Sequence, residues 1–178
     1  MRFVVTADES CMHNYNMSFM AGFLSCVPRD ALPNKVVEYI EKRFFSPVPN
    51  THGAAEIAIL ALRKIEACLT AYGHEVIVAI PQEAEKFEAD AFFISTMDPF
   101  GIGPATTTMI GLAGGDMSFN KFFFRRLVTK IRAAHPKAKI LAGGPGAWEF
   151  EIFPAAADEL GIDCVFNGAI ECRFLEYN

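Results

Sequence analysis

Short apolar runs alternate along the chain with longer segments of helical periodicity. Five runs have the length and composition of buried strands, at residues 2–7, 74–80, 90–95, 139–142 and 163–166. Buried strands that alternate with amphipathic helices are typical of parallel sheets, because crossover helices cover both faces of such a sheet. The pattern therefore predicts an α/β protein with a Rossmann-like or flavodoxin-like, doubly wound parallel sheet of about five strands.

The helical segments have recognisable ends and inward faces. One is predicted from Asn16 up to Pro28, and the clearest spans 54–72, where Gly73 occupies the position of a C-terminal cap. A Phe-rich helix is predicted over 119–135. A shorter helix over 34–45 is expected to turn four apolar side chains towards the core: Val36, Val37, Ile40 and Phe44.

Polar or glycine-rich segments follow the ends of four predicted strands, at 8–10, 95–99, 143–146 and 167–171. Ligands of parallel α/β sheets bind beyond the carboxyl ends of the strands, so we expect these segments to form a binding edge. Two connections at this edge are long: about 45 residues follow the first strand, and more than 20 join Ser95 to Ser118. Long connections at a ligand edge suggest a part in binding.

The glycine motifs allow two interpretations each. The run Gly143-Gly-Pro-Gly146 could let the backbone approach a ligand or could form a tight turn. The run Gly101-Ile-Gly103 suggests a dinucleotide fingerprint, but Thr106 replaces the third glycine and the motif follows the third strand, which disfavours nicotinamide binding. We expect a wide turn there that presents residues 95–98.

Residues 8–13 form a polar cluster after the first strand. Two carboxylates, Asp8 and Glu9, disfavour a flavodoxin-like phosphate loop, because anions bind bare backbone N–H groups. A receiver-type phosphorylation site is disfavoured as well, since no lysine follows the fifth strand. Trp148, close behind the glycine run of the fourth strand, is the aromatic residue most expected to lie against a ligand or another domain.

Composition and charge narrow the class further. The 178 residues are 52% hydrophobic and 21% charged, with a net charge of -5, which argues for one folded domain over 1–178 and against nucleic-acid binding. No apolar run reaches the roughly 18–20 residues of a membrane span, and no signal peptide is recognisable, so we expect a cytoplasmic protein with no membrane partner. Five scattered cysteines without a CxxC pair predict neither disulfides nor a structural zinc site.

Three stretches carry a resemblance to a known family. They are TADE at 6–9 with NYN at 14–16 and GF at 22–23, then STMDPFGIGPA at 95–105, then GGPGAW at 143–148. Together they resemble the N-terminal cobalamin-binding domains of radical SAM enzymes, and the resemblance covers most of the chain. The MDPxGxGP run is its most specific part, since the strand pattern is shared by many flavodoxin-like folds.

The resemblance implies that the corrin and its nucleotide tail lie along the carboxyl edge of the sheet. Ser95 and Thr96 would hydrogen-bond the tail, while Met97 and Asp98 would lie near the corrin. Gly143 and Gly144, after the fourth strand, would let the tail pass between strands. Asn167 and Gly168, after the fifth strand, would border the tail. The residues implied in cofactor binding are Asp8, Ser95, Thr96, Met97, Asp98, Gly101, Gly143, Gly144, Gly146, Asn167 and Gly168.

Two features depart from the wider cobalamin family. The D-x-H-x-x-G motif, whose histidine ligates cobalt, is absent, so the axial ligand is left open between His13, Tyr15 and water. The CxxxCxxC motif of a [4Fe-4S] cluster that cleaves S-adenosylmethionine is also absent, so the resemblance implies a fragment whose radical SAM domain follows at the C-terminus. The parent would transfer methyl groups or run other radical chemistry, and no residue here need be catalytic.

Two alternatives stay open from the residues alone. One is a stand-alone flavodoxin-like binding or sensor domain, with a flavin or without a cofactor. The other is a docking domain that has kept the fold and lost the cofactor.

Overall fold

The computed structural model describes residues 1–13 and 19–168. Its central sheet has five parallel strands in the order β2-β1-β3-β4-β5. This order, with helices around the sheet, confirms the predicted Rossmann-like or flavodoxin-like α/β fold. The strands are β1 Arg2–Ala7, β2 Glu75–Val78, β3 Ala91–Ser95, β4 Lys139–Gly143 and β5 Cys164–Phe166.

Six α-helices and three 3-10 segments connect the strands in the described part of the chain. The 3-10 segments are Phe19–Cys26, Arg29–Ala31 and Ala84–Lys86. The helices are α1 Asn34–Phe44, α2 Leu60–Ala71, α3 Pro104–Ala113, α4 Phe119–Ala134, α5 Glu149–Ile152 and α6 Ala155–Leu160. Within the described residues, no helix is both long and apolar enough to cross a membrane.

The alternation of side chains along the strands divides the core into two layers. On one face, Val5 and Phe93 pack with the buried stripe of α2, which includes Leu62 and Leu69. On the other face, strand residues Val4, Phe92 and Ile94 pack against α4. The α4 residues in this layer are Phe124, Leu127, Val128 and Ile131. A third cluster joins α1 to the start of α4 through Phe45, Phe119 and Phe123. Helices on both faces leave the carboxyl edge of the sheet open to loops.

Two sequence predictions about the helices are wrong in detail. The helix predicted over 54–72 begins at Leu60, because Asn50–Thr51 and Ala54–Ala55 pair as an antiparallel hairpin closed by Gly53, whose φ is +83°. Val36 is 41% exposed instead of inward, since only Val37 and Ile40 of α1 are buried. The long link from 95 to 118 contains α3, which begins at Pro104 and is capped by Gly114.

Candidate functional site

A cavity of about 620 Å³ opens at the carboxyl edge of the sheet. One side of it comes from the segments that follow β1, β3 and β4, through Cys11, Met97 and Trp148. The other walls come from the first 3-10 segment, from Ile59 and from the start of α3. β1 and β3 are adjacent in the sheet, and the chain reverses its direction of winding between them, which is where doubly wound folds bind ligands.

The rim of this cavity is apolar and exposed. Phe23 and Met97 are each 54% exposed and Trp148 is 38% exposed, although side chains of these types are usually covered. Among the described residues, the lining contains no lysine or arginine. A flat, uncharged ligand matches such a surface better than a phosphate does.

Asp98 organises the loop between β3 and α3. Its carboxylate accepts hydrogen bonds from the N–H of Gly103 (2.9 Å), from the Thr106 hydroxyl and from Asn120 Nδ2 (3.3 Å). Burial acts to raise the pKa of Asp98, but the hydrogen bonds from Glu149, Thr106 and Gly103 outweigh it and hold the pKa below its usual value. Asp98 is therefore ionised and buried. The sequence analysis expected the turn after β3 to present Asp98 to a ligand, whereas its carboxylate bonds this turn from within.

Glu149, at the start of α5, is completely buried beside Asp98. Its Oε2 accepts the N–H of Phe100 at 2.8 Å, while no donor among the described residues reaches Oε1. Burial, together with the hydrogen bond and charge of Asp98, raises the pKa of Glu149 to about 8. At neutral pH Glu149 thus carries a proton that it donates to Asp98, and this shared proton ties the β4–α5 loop to the β3–α3 loop.

The glycine run after β4 packs tightly on the segment that follows β3. Gly144 has a φ of +98°, and a Cβ there would come within 2.6 Å of Ser95 Oγ. A Cβ on Gly146 would come within 2.5 Å of the Met97 carbonyl oxygen. These glycines therefore let two loops of the protein approach each other, which is the structural interpretation of the run.

The polar cluster after β1 is buried as well. Asp8 accepts hydrogen bonds from the N–H and the hydroxyl of Ser10, and burial followed by the charge of Glu9 raises its pKa to about 7 against those bonds. Glu9 pairs with Arg126 of α4 at 2.8 Å. Burial, and then Asp8, raises the pKa of the Cys11 thiol well above its usual value, so this thiol is protonated.

The structure distributes the residues predicted to bind the cofactor over several environments. Met97 and Asp98 line the cavity. Asp8, Ser95 and Thr96 are buried and do not line it, and the glycines Gly101, Gly143, Gly144 and Gly146 shape the loops. Asn167 is exposed and bonds Glu151, next to Gly168.

The candidate axial ligands lie away from the cavity lining or outside the described residues. His13 is buried with its ring 5.1 Å from that of Phe45, and burial lowers its pKa to about 4. His13 does not contribute to the lining. Tyr15 lies outside the described residues, as do residues 14–16 of the resemblance and 169–171 of the predicted edge.

Several lining residues were missed by the sequence reasoning: Ser25, Cys26, Ile59, Asn120 and Glu149. Ile59 directly precedes α2 and Asn120 lies in the first turn of α4. Neither residue follows a strand in the sequence, so the rule that ligand-binding residues follow strands does not find them. Glu149 follows Trp148 directly, and a carboxylate so close behind a glycine turn was a usable signal. Within residues 1–13 and 19–168, no group of three or more His, Cys, Asp or Glu side chains is placed to hold a metal ion.

Comparisons with protein-family models, with curated proteins and with solved structures find no match to this chain.

Proposed function

We propose that this chain is a cobalamin-binding domain of a radical SAM protein, with the corrin seated across the cavity at the carboxyl edge. The observation that carries the proposal is the uncharged, apolar rim of Phe23, Met97 and Trp148 at the switch point of a flavodoxin-like sheet. The resemblance of residues 95–105 and 143–148 to the family falls on two walls of the same cavity.

The lining fits a corrinoid chemically. A corrin has broad apolar faces and neutral amide arms, so it needs apolar contact and hydrogen-bonding groups without a cationic clamp. The cavity offers the first through its rim and the second through Ser10, Ser25 and Asn120. A corrinoid is larger than 620 Å³, so part of it would enter while the rest covers the exposed rim.

The same lining disfavours a flavin mononucleotide. Its phosphate needs bare N–H groups and hydroxyls at the end of β1. This segment instead carries Asp8 and Glu9, both buried, and no cation lines the cavity among the described residues.

The role proposed for this chain is binding and orientation. Cobalamin, when bound, supplies the methyl-carrying cobalt chemistry, and a [4Fe-4S] cluster with S-adenosylmethionine would belong to a C-terminal radical SAM domain of the parent. The residues of this chain hold the corrin, shield one of its faces from water and present the other to that domain.

The proposal is tested by reconstitution. The purified chain is mixed with hydroxocobalamin, desalted and examined by visible absorbance, with flavin mononucleotide in a parallel sample. Trp148 is the only tryptophan and lines the cavity, so its fluorescence should be quenched during the same titration. We expect retained corrin absorbance and quenching. Retention of the flavin alone, or of neither cofactor, would refute the proposal.

Two aspartate variants locate the bound corrin. Ile59 lines the cavity at the N-cap position of α2, where no side chain caps the helix, so Ile59→Asp supplies a favoured capping residue and adds a charge to the wall. Ile57, which is exposed and lies outside the lining, provides the matched control Ile57→Asp. We expect at least about tenfold weaker cobalamin binding in the first variant. Equal affinities would place the corrin elsewhere.

A further inference from the structure

Asn120 is a buried polar side chain with an unused acceptor at the cavity. It is 3% exposed and lines the cavity, and its Oδ1 has no hydrogen-bond partner among the described residues. Its Nδ2 is held by the Asp98 carboxylate at 3.3 Å, and this contact fixes which end of the amide is which, because a carboxylate accepts only from the nitrogen. A buried acceptor without a donor is costly, so Oδ1 needs a donor, and a ligand in the cavity can supply it.

The first turn of α3 offers donors in the same cavity. Thr107 donates the first bond of this helix, to the Gly103 carbonyl at 2.9 Å. The N–H groups of Ala105 and Thr106 precede it and have no acceptor within the helix, and Pro104 has no N–H. Both residues line the cavity with Asn120. This part of the cavity therefore presents N–H donors and one carbonyl acceptor.

The charges nearby select a neutral ligand group. The anionic Asp98 carboxylate is bonded to both Thr106 and Asn120, so a second anion at the helix N-terminus would be repelled. Glu149, the other acid in the lining, is held neutral by the proton that it shares with Asp98. The group that fits must be uncharged, must accept at α3 and must donate to Asn120.

We infer that Asn120 and the first turn of α3 form a subsite for a primary carboxamide. Its oxygen accepts from the N–H groups of Ala105 and Thr106, and its NH₂ group donates to Asn120 Oδ1. We assign this carboxamide to an acetamide or propionamide arm of the corrin, and that assignment rests on the proposed function. The subsite itself can be tested with small amides, independently of cobalamin.

The first test uses the unmodified protein and three small probes. Propionamide carries both donor and acceptor, N,N-dimethylpropionamide lacks the donor, and propionate adds a charge. We expect propionamide to shift the ¹H–¹⁵N signals of Ala105, Thr106 and the Asn120 side chain, saturating in the millimolar range. The other two probes should bind at least about tenfold more weakly. Equal shifts by all three probes, or none by propionamide, would overturn the subsite.

The second test compares cobalamin affinities of two variants. Asn120→Leu removes the acceptor and leaves Asp98 bonded to Gly103, Thr106 and Glu149. Thr107→Val is the matched control, because Thr107 is exposed beside the subsite and, among the described residues, its hydroxyl bonds the carbonyls of Gly103 and Pro104. We expect cobalamin to bind Asn120→Leu about tenfold more weakly and Thr107→Val as the unmodified chain does.

The outcomes separate the two proposals. If cobalamin binds with the same affinity to Asn120→Leu and propionamide causes no shift, the subsite is wrong and the proposed function survives. If propionamide shifts the three signals and cobalamin does not bind, the proposed function is wrong and the amide subsite survives without its assignment to a corrin.

Discussion

Replacing Glu149 with glutamine should make the protein more stable at alkaline pH. Glu149 accepts the N–H of Phe100 and, when protonated, donates to Asp98. Glutamine reproduces both bonds at every pH, since its oxygen accepts and its NH₂ group donates. Glu149→Gln therefore mimics the protonated acid and removes its ionisation.

The size of the effect follows from proton linkage. The pKa of Glu149 rises from 4.5 to about 8 on folding, mainly through burial, so the folded state binds more protons between these values. Stability that is fully present below pH 4.5 is consequently lost as pH rises towards 8, at about 1.4 kcal/mol per pH unit. The advantage of Glu149→Gln should grow by about 3 kcal/mol between pH 5.5 and 8, which corresponds to roughly 6–12 °C in Tm.

The measurement is urea unfolding at several pH values, followed by far-UV circular dichroism, for the unmodified chain and the variant. Asp8, whose pKa is raised to about 7 by burial, adds a slope of the same sign, but it is present in both proteins and cancels in the difference. Glu151→Gln serves as the control, because Glu151 is exposed on the same helix. Its curve should run parallel to that of the unmodified chain.

Parallel curves for Glu149→Gln and the unmodified chain would refute the shared proton. A variant that is less stable at every pH would refute the hydrogen-bond geometry at Phe100 and Asp98.

Two further predictions concern packing and charge. Gly146→Ala should lower the free energy of unfolding by about 1–3 kcal/mol, because its Cβ would lie 2.5 Å from the Met97 carbonyl oxygen. The control Gly111→Ala, in α3, meets nothing within 4 Å and should raise the free energy of unfolding by about 0.5–1 kcal/mol. Similar Tm values for the two variants would contradict this packing. Arg126→Ala should lower the free energy of unfolding by about 3 kcal/mol, because it leaves the Glu9 carboxylate, which is only 6% exposed, buried without its ion-pair partner. In chemical denaturation, the double variant with Glu9→Gln should recover part of this loss. No recovery would assign the loss to the packing of the arginine side chain instead.

The sheet could be predicted because each of its strands is a nearly continuous apolar run. Such runs are needed when helices cover both faces of a sheet, because the side chains on both faces are then buried. The phenylalanines of β3 and Phe124 of α4 are buried for the same reason, since they pack between the sheet and its helices. The start of α2 could not be predicted, because residues 54–59 satisfy helical spacing while the turn at Gly53 pairs 54–55 into a hairpin. Strand order was also outside the reach of periodicity, which is a local property.

The candidate site was predicted only where it follows strands. The segments after β3 and β4 meet at one edge, as parallel strands require, and Trp148 lines the cavity there. Asn120 belongs to a helix that packs across the sheet, so its proximity to Asp98, 22 positions earlier, is a tertiary fact. The proton on Glu149 likewise depends on a neighbour in space, and no pattern along the chain records it.

The close contact of Gly146 with Met97 has a consequence for the kinetics and entropy of binding. Because the loops after β3 and β4 already touch, this side of the cavity is formed before a ligand arrives, and association with the proposed ligand would not require these two loops to close. Little conformational entropy would be lost on binding, so affinity would depend mainly on the water released from the apolar rim and would show a negative heat-capacity change. Under the proposed function, Gly144 and Gly146 thus fix the relative position of these two loops in advance of binding.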